Sequence, residues 1–110
     1  MRIDFTRPLR GLDNRPIAQE IHEDGSLKTP ATLGSVAIQA LMAPKVVAGE
    51  AQPASGEEAL RAIGLGLVIA DASGPVSITA EDVVYIKERI AAVYTTPLVV
   101  GRAWQMLEAA

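Results

Sequence analysis

The chain has 110 residues, with 10 Lys and Arg against 13 Asp and Glu, one His and no Cys. Such a length supports one domain that buries roughly two-thirds of its unfolded surface, and the missing thiols exclude disulfide scaffolds and Cys-ligated metal sites. A single His argues against zinc chemistry and a Ser-His-Asp triad. A net charge of −3 argues against a general nucleic-acid binder, which needs surplus cations to displace counterions.

Hydrophobic residues make up 49% of the chain and aromatics 4%, so the core must be built from Ala, Val, Leu and Ile. Aliphatic side chains bring less area each than aromatic ones. Self-association is therefore expected to complete the buried surface. The longest apolar run, residues 62–70, is far below the about 20 residues that span a bilayer. Asp4 and Arg7 interrupt any signal-peptide core. These features predict a cytoplasmic protein with no membrane partner.

Residues 1–31 read as a small antiparallel β-hairpin or arm. Ile3 and Phe5 alternate with Asp4 and Thr6 up to Pro8, and the turn formers Gly11, Asp13 and Asn14 follow. Ile17, Gln19 and Ile21 predict a second strand. Asp24, Gly25 and Ser26 predict a tight turn into a return strand at Leu27 and Thr29.

Residues 32–110 read as about four helices, giving a single α+β domain. Thr32 caps a helix over Leu33–Met42, with Leu33, Val36, Ala37, Ala40 and Leu41 on one face and Pro44 as its stop. Residues 45–54 read as a loop. Ser55 and Glu58 form a capping-box pattern for a helix over 56–70, supported by the spacing of Leu60, Ile63 and Leu67. Val76, Ser77 and Ile78 suit a short extended piece. Thr79 with Glu81 and Asp82 starts a helix over 80–94, with Val83, Ile86, Ile90, Val93 and Tyr94 inward. Pro97 opens a last helix lined by Leu98, Gly101, Ala103, Trp104 and Leu107.

No arrangement of residues assembles a catalytic site. Gly64-Leu65-Gly66 begins a dinucleotide fingerprint, but Ile69 stands at the third glycine and the motif lies inside a helix. The span from Asp71 to Asp82 has the layout of a calcium loop, but Pro75 replaces an oxygen ligand and Val76 the required glycine. The two flanking helices are too widely separated for a helix-turn-helix. Glu57, Glu58, Glu81 and Asp82 are explained as helix starts. His22, beside Glu20, Glu23 and Asp24, reads as a surface residue on a hairpin, the alternative being a pH-sensitive group whose carboxylate neighbours raise its pKa. The expected protein is non-enzymatic and carries no cofactor or metal.

Two features point to partners. Gly64 and Gly66 weaken the most apolar helix by about 1 kcal/mol each against Ala. Either burial rescues a weak helix, or the glycines admit a second helix from this chain or another copy. Arg2, Arg7, Arg10 and Arg15 stand against Asp4 and Asp13, a local charge of +2 (4 − 2) that fits a solvated arm with exposed arginines or, less readily, contact with nucleic acid or an acidic protein face. Trp104 completes the candidate interaction residues, as core or interface.

Three stretches carry a resemblance. They are Met1-Arg2-Ile3-Asp4-Phe5 with Leu12-Asp13-Asn14-Arg15-Pro16-Ile17; Thr32-Leu33-Gly34 leading into an Ala/Leu helix; and Ile86-Lys87 with Tyr94, Pro97-Leu98-Val99-Val100-Gly101 and Ala103-Trp104. Together they resemble a group of short, uncharacterised proteins encoded by tailed bacteriophages and prophages. Asn14 replaces the glycine usual in the Leu-Asp-Gly turn and still tolerates its left-handed backbone. The resemblance implies a phage origin and a role in particle assembly, with itself and other phage proteins as partners. The alternative it implies is a phage regulator that binds a host protein or nucleic acid through the Arg-rich arm.

Overall fold

The computed structural model describes residues 2–15, 18–21 and 27–108, and the side chains of 2–15 and 31–108. The chain is an α+β domain of four helices with short antiparallel strand pairs. Its elements in order are β1 (Arg2–Ile3), β2 (Ala18–Ile21), β3 (Leu27–Pro30), α1 (Leu33–Met42), β4 (Lys45–Val47), β5 (Glu50–Gln52), α2 (Gly56–Asp71), β6 (Val76–Ser77), α3 (Ala80–Val93) and α4 (Pro97–Glu108).

The helix starts follow their caps. Thr32 Oγ1 accepts from the Ser35 N–H at 3.0 Å, and the Ser35 hydroxyl oxygen accepts in return from the Thr32 N–H at 3.0 Å. Thr79 Oγ1 takes the Asp82 N–H at 3.1 Å. Ser55 Oγ takes the Glu58 N–H at 3.1 Å, but the Glu58 carboxylate does not reach back as the capping-box pattern predicts. It accepts instead from Lys45 Nζ at 2.6 Å, because β4 brings that ammonium alongside.

Residues 45–54 are not a plain loop. β4 and β5 pair in register, with Val46 opposite Ala51 and Val47 opposite Glu50. Ala48 (φ 55°) and Gly49 (φ 83°) turn the hairpin. Two consecutive positive φ values give the type I′ twist that matches paired strands. Ala48 is an unusual occupant, since its Cβ crowds the left-handed region.

The hairpin expected before α1 is present as β2–β3, pairing Ala18 with Pro30 and Ile21 with Leu27. Its expected turn, with His22, lies outside the described residues. The segment before it is not part of that hairpin. β1 pairs with the distant β6, Arg2 opposite Ser77 and Ile3 opposite Val76. Residues 5–9 then run back along the start of α1. The Arg7 carbonyl accepts from the Leu33 N–H at 2.9 Å, and the Phe5 carbonyl from the Gly34 N–H at 2.8 Å. With Thr32 serving Ser35 and Val36, all four N–H groups of the first turn have acceptors. This strap also places Ile3, Phe5 and Leu9 in the core.

The core joins these three residues to the inner faces of all four helices, with Phe5, Leu9, Leu33, Ile86, Ile90 and Leu107 sealed from solvent. α1 packs against both α2 and α3, and α4 packs mainly on α3. Among the described residues no helix is long and apolar enough to cross a membrane.

Candidate interaction surfaces

Two surfaces remain once the core is assigned. The first is the outer face of α2. Its inner face buries Ala62, Leu65, Gly66 and Ile69. Turning the helix by half exposes Leu60 (74%), Ile63 (50%), Leu67 (61%) and Val68 (45%). These positions recur at the helical period and surround Gly64. The spacing of Leu60, Ile63 and Leu67 does mark a helix, but it marks the side turned to water.

The two glycines of this helix separate. A Cβ on Gly66 would meet Met42 Cε at 3.6 Å, an ordinary contact. A Cβ on Gly64 would meet nothing within 4 Å. Neither is required for packing inside the monomer. The glycine that close packing does require is Gly34, where a Cβ would lie 2.9 Å from the Phe5 carbonyl oxygen and 3.2 Å from Ile69 Cγ2. Its sequence signal was its place in the first turn of a capped helix, where backbone acceptors must approach.

The second surface is basic. Arg2, Arg7, Arg10 and Arg15 are all exposed. Arg2 and Arg7 rim a groove with Asp4 and Pro75, and Arg7 and Arg10 rim its neighbour with Asn14. Arg102, which pattern reading passed over, joins the second groove from α4. Its guanidinium donates to the Gly11 carbonyl at 3.3 Å and to Gln105 Oε1 at 3.1 Å. Arg15 stands apart, 4.0 Å from Asp13. The loop is tied by Gly11 N–H to the Arg15 carbonyl at 2.8 Å and by Arg10 Nη1 to the Asn14 carbonyl at 3.0 Å. At its tip Leu12 is 89% exposed.

Charge on this surface is partly answered locally. The Thr6 hydroxyl, then the Thr6 N–H, hold the Asp4 carboxyl below its usual range, and Arg7 adds to the effect. The Arg7–Asp4 separation of 4.0 Å, between an exposed guanidinium and a half-buried carboxylate, is a weak pair.

Trp104 belongs to the monomer. Its indole Nε1 donates to the Lys87 carbonyl at 3.1 Å, and Lys87 Nζ lies 4.4 Å from the ring centroid. Lys87 also pairs with Glu108 at 2.9 Å. The residue therefore fastens α4 to α3.

Among the described residues no group of three or more His, Asp or Glu is placed to hold a metal. Asp82, the last position of the calcium-loop pattern, receives Arg61 Nη2 at 3.1 Å, and Arg61 covers the Tyr85 ring at 4.2 Å. Comparison with known proteins returns no matching family model, no matching curated protein and no matching solved structure.

Proposed function

We propose that this is a non-enzymatic interaction protein that self-associates through the outer face of α2. The observation that carries the reading is the exposed stripe of Leu60, Ile63, Leu67 and Val68 around Gly64, open where a second helix would lie. Scattered exposed leucines are ordinary, but a contiguous helical stripe marks a contact surface. Half-exposed side chains of this size contribute about 1 kcal/mol each when covered. Four from each of two copies stand against an association cost of about 4–15 kcal/mol, so a simple pair is weak.

The resemblance to short proteins of tailed bacteriophages supports assembly of a phage particle as the setting. Sedimentation across micromolar concentrations tests the reading. The wild-type chain is expected to associate, and a Leu60→Gln, Leu67→Gln double variant to remain monomeric with unchanged helical circular dichroism. A wild-type chain that stays monomeric throughout would sink it.

A second reading rests on the basic grooves. Arg7, Arg10 and Arg102 face one groove, which suits a regulator that binds an acidic host protein or nucleic acid. Electrophoretic retardation of DNA and RNA at low salt tests its nucleic-acid branch, and no retardation removes that branch.

A further inference from the structure

Arg89 is the one buried charged side chain among the described residues, at 7% exposure. It reaches from α3 to the C-terminal end of α1, where its Nη2 donates to the carbonyl of the capping residue Ala43 at 2.9 Å. That bond has a clear structural purpose. α1 has no basic residue in its last turn, so Arg89 brings a cation to the negative end of the helix dipole. The dipole answers only about half a charge. A guanidinium stays protonated and carries five N–H donors. No carboxylate among the described residues lies within ion-pair distance of it. Buried cations are normally paired, because low-dielectric surroundings penalise a lone charge.

Arg89 lines a cleft of about 320 Å³ between the end of α1, the β4–β5 hairpin and the first half of α2. The cleft walls are apolar: Leu41, Met42, Ala59, Ala62 and Ile63, with Tyr85 beside Arg89. Lys45 and Glu58 also line it, but they neutralise one another at 2.6 Å. The charge left inside is that of Arg89 alone. A second cleft reaches Arg89 from beneath Val46 and Val47, without the helical walls of the first.

We propose that this cleft binds a small monocarboxylate with a short apolar tail, its head on the Arg89 guanidinium and its tail along Met42 and Ile63. A planar guanidinium matches a carboxylate through paired N–H bonds. The volume lies at the small end of ligand sites, which excludes long acyl chains. The cleft shares Ile63 with the outer stripe of α2, and the Leu67→Gln control separates the two surfaces.

Octanoate, octanol and octylamine are the probes, titrated into the full-length protein and followed by backbone amide shifts. Octanoate is expected to move residues 41–45, 59–63 and 85–89 and to bind at least tenfold tighter than octanol, with octylamine weakest. Arg89→Met is expected to remove the preference for octanoate. Should that variant fail to fold, Ile63→Glu leaves the Arg89 bond to α1 in place and is expected to abolish octanoate binding. Leu67→Gln, on the outer stripe, is expected to leave it unchanged. Equal binding of octanoate and octanol overturns the proposal. So does an absence of binding, or octanoate binding that follows Leu67 instead of Arg89 and Ile63.

Discussion

α1 and α2 pack against each other and use their apolar residues in different ways. In α1, Leu33, Val36, Ala37, Ala40 and Leu41 lie on one face and are all buried. In α2, Ala62, Leu65, Gly66 and Ile69 are buried while Leu60, Ile63, Leu67 and Val68 face out. The inner side of α2 pairs two large residues, Leu65 and Ile69, with two small ones, Ala62 and Gly66, and three of its large aliphatics, Leu60, Ile63 and Leu67, are turned to solvent. Burial and exposure of apolar residues are therefore divided differently on these two helices. α1 is a structural element with its surface used up inside the monomer. α2 is structural on one side and available on the other.

The largest expected effect falls on the strap that completes α1. Phe5 is 2% exposed and its carbonyl serves the Gly34 N–H. Phe5→Ala should cost about 3–5 kcal/mol, the usual loss for a large buried side chain. Urea unfolding measures it. A cost below about 1 kcal/mol would mean the strap is ornamental to α1.

Glycine substitutions should give opposite signs on the two helices. Gly34→Ala gains about 1 kcal/mol in helix propensity. It also drives a methyl group into the Phe5 carbonyl oxygen and Ile69. Overpacking of this kind costs about 1–3 kcal/mol, so the net change should be destabilising. Gly64→Ala meets nothing and should stabilise the monomer by about 1 kcal/mol. The same methyl group stands in the gap proposed for a second helix, so association should weaken as stability rises. Chemical denaturation and sedimentation on one sample measure both.

Much of this architecture is readable from residues, and the exceptions have physical causes. Thr32, the period of Leu33 to Leu41 and Pro44 mark α1 because caps and stops are local. α2 is apolar almost all round, so periodicity marks a helix without saying which face is buried. The strap is invisible in sequence because its carbonyls serve N–H groups more than twenty residues away. The β4–β5 hairpin escapes pattern reading because Ala48, not Asn or Gly, occupies a positive-φ turn position. Arg89 looks like an ordinary helix cation beside Lys87, and only tertiary packing buries it and brings it to the Ala43 carbonyl at the end of α1. Of the candidate arginines, the fifth member Arg102 enters from α4 through tertiary packing.

A smaller effect tests the polar edge of α1. Tyr94 donates its hydroxyl to Gln39 Oε1 at 2.6 Å, and burial raises its pKa above the ordinary 10.0. The unfolded chain therefore releases this proton first. Stability should be unaffected below pH 10 and should fall as pH rises from there toward the folded-state value. Tyr94→Phe should flatten that decline in unfolding midpoints measured between pH 9 and 11. An unchanged slope would detach Tyr94 from the stability of α1.

The smallest effect on monomer stability is also the most discriminating. Leu67 is 61% exposed and belongs to no core cluster. Leu67→Gln keeps a good helix former of similar length, so monomer unfolding should shift by less than about 0.5 kcal/mol. The matched change Leu41→Gln on α1 buries an amide without a partner and should be far more damaging. If Leu67→Gln instead destabilises a dilute, monomeric sample by more than about 1 kcal/mol, Leu67 is part of the monomer's own packing. The two helices would then differ only in degree. If stability holds and association is lost, the outer face of α2 exists for a partner.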